Sequence, residues 1–135
     1  ECPKGMRLTA WNGGMSVINP DERIDPRNQR APRNKDHYAN LKAQAWFSLR
    51  ARFENAYKKK MGREYDATHI ISLPADLPYL EQLQDELCQP HKKESGTGKV
   101  LVDKQPDGAQ SPNLADAVVM AFFPLSAKAS ILDVL

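Results

Sequence analysis

One carboxylate stands out chemically: Asp116, set in a segment that is otherwise apolar, Ser111-Pro112-Asn113-Leu114-Ala115-Asp116-Ala117-Val118-Val119-Met120-Ala121-Phe122-Phe123. Ser111 followed by Pro112 reads as an N-cap and a first helical position, because proline lacks only an N–H that has no partner there and its φ suits a helix. The residues that follow leave no polar stripe, so this helix is expected to be buried nearly all round, where an unpaired charge is costly. Asp116 therefore needs a metal ion, an Arg or Lys, or backbone donors, and structural pairing is the commoner fate of a buried acid. Asn113 lies three residues earlier, on the same helical face and one turn nearer the positive end of the dipole. A carboxylate and an amide oxygen converging at a helix start would suit a hard, oxygen-seeking cation such as Mg²⁺.

Other spacings carry less. Cys88 and His91 have a C-x-x-H spacing, but a zinc site needs two more ligands and the remaining candidates are His37, His69 and the distant Cys2. Gly96-Thr97-Gly98-Lys99 lacks the four-residue gap and the following Ser or Thr of a phosphate-binding loop, and no helix pattern follows it. Asp103 and Asp107 are the acids nearest Asp116 in sequence; Asp107-Gly108 is better explained as a turn and Asp103 as an exposed strand end.

The elements that must position these groups follow from periodicity and punctuation. Residues 6–11 alternate apolar with polar and stop at Asn12-Gly13-Gly14, a strand ended by a turn. Pro20, Pro26 and Pro32 make residues 15–37 a long polar loop, suited to disorder or to substrate contact. Residues 38–61 form the clearest helix, with Ala45, Trp46, Leu49, Phe53, Ala56 and Tyr57 on one face, Asn40 at its start and Gly62 at its end. Residues 69–73 are a short strand or extended connection, and Leu77, Leu80, Leu83 and Leu87 mark a second amphipathic helix with Pro78 near its first turn. Residues 92–104 read as a β-hairpin around Gly96-Thr97-Gly98, and Gln105-Pro106-Asp107-Gly108 turns the chain toward Ser111. Pro124 stops the last helix, and residues 126–135 form a small-residue tail or linker.

With 135 residues, the chain is one domain at most. A net charge of +2 does not announce a nucleic-acid binder, although Arg and Lys concentrate between Arg23 and Arg63. Lys58, Lys59 and Lys60 suit the C-terminal end of a helix. Cys2 and Cys88 make no disulfide framework, and no segment is apolar enough for a signal peptide or a membrane span, which fits a cytosolic protein.

The run Asn40-Leu41-Lys42-Ala43-Gln44-Ala45-Trp46-Phe47-Ser48-Leu49-Arg50, preceded by Trp11-Asn12-Gly13-Gly14, and the run Gly98-Lys99-Val100-Leu101-Val102-Asp103-Lys104 leading into Ser111-Pro112-Asn113-Leu114-Ala115-Asp116-Ala117 together resemble the nuclease domain of the large terminase subunit of tailed bacteriophages. The resemblance implies a partial ribonuclease H-like α/β fold, a mixed sheet with flanking helices, in which residues 1–125 are the carboxy-terminal part of the domain. It also implies an endonuclease that cleaves concatemeric double-stranded viral DNA during genome packaging by two-metal phosphodiester hydrolysis. In that family three acids hold two divalent cations, Mg²⁺ or Mn²⁺, and the third acid opens the final helix in a motif Ser-Pro-Asp-x-Ala-Asp-Ala. Asp116 matches that third acid. Asn113 falls where many relatives carry another Asp or a His, and would orient a bound water.

Lys42, Arg50, Lys99 and Lys104 lie on elements that the family arranges around the cleft, which implies salt-dependent contacts to DNA phosphates. The other two acids lie before the strand that residues 6–11 resemble. The chain is thus expected to carry one catalytic ligand, to be inactive by itself, and to self-associate through an exposed sheet edge. No Walker-type motif occurs. The resemblance further implies a small terminase subunit and a portal protein as partners, no membrane, and the bacterial host cytoplasm. Two alternatives remain: a non-catalytic prophage remnant or packaging interaction module in which Lys or Arg satisfies Asp116, and another ribonuclease H-like nuclease of the resolvase or transposase type.

Overall fold

The longest helix begins where its free amides find acceptors from two stretches of sequence. Asn40 has an extended backbone and its Oδ1 accepts from Ala43 N–H at 3.0 Å. Gly13 O accepts from Lys42 N–H at 2.9 Å and Met15 O from Leu41 N–H at 2.8 Å. The Asn12-Gly13-Gly14 turn is therefore a helix cap as well as a chain reversal. Asn12 Oδ1 closes the turn on Gly14 N–H at 2.9 Å. A Cβ on residue 13 would lie 3.0 Å from Lys42 Cβ and 3.2 Å from the Trp11 ring, so the close approach requires Gly13.

The computed structural model describes residues 9–123; of the expected strand over residues 6–11, residues 6–8 lie outside the described residues, as does the tail 126–135, and residues 9–11 form no strand. The helices are α1 (Asn34–His37), α2 (Leu41–Lys60), α3 (Leu80–Cys88) and α4 (Asn113–Phe122), with strands β1 (His91–Glu94) and β2 (Val100–Asp103) between α3 and α4. Helix α2 ends as expected at Gly62, whose φ of +65° lets its N–H return to Lys59 O. The connection 69–73 is extended without strand pairing, and its Ile71 is buried.

Strands β1 and β2 form the expected hairpin, antiparallel with His91 opposite Asp103 and Glu94 opposite Val100. A single parallel bridge joins Tyr38 to the far side of Val100, where Val100 O accepts from Ala39 N–H at 2.9 Å. The arrangement is α/β, with a two-stranded antiparallel sheet among the described residues. The core forms where Ala45, Trp46 and Leu49 of α2 meet Leu83 of α3, Val102 of β2, and Ala115 and Val119 of α4. The fully buried residues of α2 lie in its first half, with Phe53 partly buried against the core; Tyr57, expected on the buried face, is exposed.

The long polar segment 15–37 is tied down rather than free. The buried Gln44 amide clamps it from α2, accepting from Ile18 N–H at 2.8 Å and donating to Ile18 O at 3.0 Å. Asn34 N–H donates to Glu22 O, Lys35 N–H to Pro20 O and Ile24 N–H to Pro32 O, and α1 closes the segment. The prolines excluded a long helix, as expected, but backbone hydrogen bonding across the loop replaces it. Replacing Gln44→Ala strands the Ile18 backbone groups and should cost about 1–3 kcal/mol in urea denaturation. It should also expose Arg23, Arg27, Arg30 and Arg33 to trypsin under conditions where the parent chain resists.

His69 rests against α2 with Nε2 donating to Ser48 O at 3.1 Å. Burial, then the nearby Arg52, lowers its pKa, and burial, then Lys92, lowers that of His37. Both bind protons less readily folded than unfolded, so their contribution is complete above the unfolded value of about 6.5 and is lost as pH falls below it. The thermal midpoint should drop from pH 7.5 to pH 5.5, and His69→Gln should flatten that drop.

Candidate functional site

The start of α4 departs from the sequence expectation in who caps it. Pro112, not Ser111, is the N-cap residue, with φ −80° and ψ 72° and no side-chain cap hydrogen bond. Ser111 contributes its carbonyl, which accepts from Asn113 N–H at 2.9 Å. The Leu114 and Ala115 amides instead donate to Glu86 Oε2 of α3 at 2.7 and 3.0 Å. Gln82, one turn earlier on α3, donates to the other oxygen, Glu86 Oε1, at 2.9 Å. Desolvation pushes the Glu86 carboxyl up, but the Ala115 amide, Gln82 and the Leu114 amide together hold it below its usual value.

Helix α4 is not buried all round. Its neighbours α2 and α3 cover the stripe that carries Ala115 and Val119, while Asn113, Ala117, Met120 and Ala121 are exposed. Asp116 lies at the margin of the buried stripe, and its carboxylate pairs with the ammonium of Lys104, just beyond β2. The two side chains are only 17% and 24% exposed, so the pair is shielded enough for each charge to need the other. Of the partners open to Asp116 in the sequence, the structure selects a lysine. Gln89, beyond the end of α3, fixes the approach of that lysine by donating to Lys104 O and, at 2.8 Å, to Gln110 O.

The far end of α4 is held by a cation. The Arg52 guanidinium of α2 lies 5.5 Å from the Phe122 ring centroid and donates to Ile70 O at 3.0 Å. A positive group there complements the negative end of the helix dipole.

The remaining sequence candidates are dispersed. Asn113 is exposed and makes no side-chain hydrogen bond among the described residues, so nothing draws it to Asp116. Arg50 is exposed and pairs with Glu54 at 2.9 Å. Lys42 is half-buried beside Gly13, and Lys99 sits in the hairpin turn with its N–H on Ser95 Oγ at 3.1 Å. Of the four basic candidates, Lys104 alone is ion-paired with Asp116 among the described residues. Asp103 pairs with Lys93, and Asp107 occupies a left-handed turn position at φ +55°. Among the described residues, no three His, Cys, Asp or Glu side chains gather as a metal-binding group, so Asp116 stands as a single carboxylate. Glu86, which the sequence reading did not single out, is the acid that shapes the site. No local signal marks it, because its role comes from the packing of α3 on α4.

The nuclease domain of the large terminase subunit of bacterial virus Sf6 superposes with a TM-score of 0.73 at 28% identity, covering 86% of this chain and 53% of that one. This chain is similar to a phage large-terminase nuclease domain. A lysine-to-alanine mutant of the Sf6 terminase domain with manganese and beta-thujaplicinol gives a TM-score of 0.74 at 28% identity, over 87% of this chain and 54% of the other. The same mutant with calcium gives 0.71 at 29%, over 84% and 51%. These terminase neighbours are ribonuclease H-like, and the chain spans about half the length of the solved terminase domains it matches. No family model and no curated protein matches the sequence. Among the described residues no helix is long and apolar enough to cross a membrane.

The Asp116–Lys104 ion pair makes a quantitative prediction. Lys104→Ala and Asp116→Ala should each destabilise the chain, and the double substitution should cost less than their sum by about 1–3 kcal/mol in urea denaturation. Additive losses would mean that the two charges do not depend on each other.

Proposed function

We propose that residues 1–125 are the carboxy-terminal part of a large-terminase nuclease domain and that Asp116 is one carboxylate ligand of a divalent-cation site for cleaving double-stranded DNA. The observation that carries this reading is the shielded Asp116–Lys104 pair: a carboxylate at a helix start, neutralised by one ammonium group that a dication can replace. An oxygen ligand of this kind fits Mg²⁺ or Mn²⁺, and further carboxylates come from outside the described residues. Bound cations supply stabilisation of the attacking and leaving oxygens of an in-line phosphodiester displacement. Asp116 holds its carboxylate toward them, and Lys104, once released, becomes a cation available to a DNA phosphate. Asn113 orients a water, and Lys42, Arg50 and Lys99 add salt-dependent contacts to the backbone of the duplex.

The relatives support this reading. Structures of the Sf6 nuclease domain have been solved with manganese and with calcium, which supports a divalent-cation site in a domain of this fold. A small terminase subunit and a portal protein as partners, self-association through the open edge of β1, and the host cytoplasm belong to the same reading. The Lys104 pairing also favours one alternative, a non-catalytic packaging module in which Asp116 is satisfied for good.

Calorimetric titration with Mn²⁺ separates the two. A cation ligand predicts that Asp116→Ala abolishes binding at this site and that Lys104→Ala tightens it severalfold. Binding that neither substitution alters would leave Asp116 with a structural role only.

A further inference from the structure

The amides at the start of a helix are usually satisfied by the residue just before it, which leaves the direction of the first turn to local sequence. Helix α4 is different. Its N-cap is a proline with no side-chain cap hydrogen bond, and both oxygens of Glu86 are committed: Oε2 to the Leu114 and Ala115 amides at 2.7 and 3.0 Å, Oε1 to Gln82 at 2.9 Å. The two amides immediately precede Asp116, whose own N–H donates to Pro112 O at 2.8 Å. The first turn that carries the Asp116 carboxylate is thus hung on a side chain from another helix.

We infer that Glu86 is a positioning residue for the Asp116 carboxylate, fixing the first turn of α4 from α3 so that Asp116 is presented to a divalent cation. The inference rests on the metal-site reading above. Glu86 would not itself touch the cation. Its oxygens already have partners, and its negative charge favours the positive end of the helix dipole. Three anchors then define where Asp116 sits: Glu86 through the backbone, Lys104 through the side chain, and Gln89 through the segment that delivers Lys104. Without Glu86 the helix can still pack Ala115 and Val119, but its first turn is free to fray. Outer partners that orient a metal ligand commonly matter to affinity by an order of magnitude or more.

The test uses the full chain and Mn²⁺ as probe. The readout is the Mn²⁺ concentration at which paramagnetic broadening of the Asp116 and Ala117 amide resonances is half complete. Glu86→Ala should raise that concentration by roughly tenfold. Glu86→Gln, whose amide oxygen can accept from the same two N–H groups, should stay within about threefold of the parent chain. Asn40→Ala removes the side-chain cap of α2, a different helix, and serves as a control for the loss of a helix cap as such; it should leave the concentration unchanged. An unaltered value in Glu86→Ala, or an equal rise in Asn40→Ala, would overturn the positioning role. Should broadening in the parent chain persist in Asp116→Ala, the metal reading fails separately. The coupling between Asp116 and Lys104, measured by double-mutant cycle with and without Glu86→Ala, then decides: a coupling cut by half or more upholds positioning, and an unchanged one overturns it.

Discussion

A negative charge on the shielded side of a helix start has to be balanced, and in this chain the Lys104 ammonium balances Asp116. Much of the surrounding structure can be read as the means of bringing those two groups together. β2 must end at Asp103, Gln89 must catch the chain as it leaves the strand, and α4 must begin close enough for Asp116, in its first turn, to reach Lys104. The apolar stripe of α4 supplies the adhesion, because Ala115 and Val119 pack against α2 and α3 while the opposite side of the helix stays open.

Electrostatics at the two ends of α4 reinforce this placement. Glu86 offers a negative group to the amides at the N-terminus, and Arg52 offers a positive one near Phe122 at the C-terminus. A ten-residue helix with a proline at its N-cap has little intrinsic stability, so partners contributed by α2 and α3 decide where it begins and how it points. The same economy operates at α2, whose first amides are met by Asn40, Gly13 and Met15. In both cases the position of a helix start is set by a distant stretch of chain.

That dependence explains what could be read from residues alone. Helix α2 with Asn40 and Gly62 at its ends, the hairpin around Gly96-Thr97-Gly98, and the apolar helix carrying Asp116 are written in local periodicity and turn chemistry, and the structure has them. The need of Asp116 for a partner was legible too, since a charge among Leu, Ala and Val cannot stand alone. Which partner it takes was not, because Lys104 reaches it only through the turn at Pro106–Gly108 and the hold of Gln89. Glu86 was invisible for the same reason: its role comes from the packing of α3 on α4, not from its neighbours in sequence. The loop 15–37 looked free because the hydrogen bonds that tie it down join residues eight or more apart, from Ile24 to Pro32, from Glu22 to Asn34 and from Ile18 to Gln44. The burial of α4 was overstated because alanines at 117 and 121 are small enough to face solvent at little cost.

The most direct trial of this account is anomalous diffraction from crystals of the chain soaked in Mn²⁺. The account predicts a manganese peak within coordination distance of the Asp116 carboxylate, with the Lys104 ammonium turned away from it. Crystals saturated with Mn²⁺ that show no peak at Asp116 and an intact Asp116–Lys104 pair would contradict it.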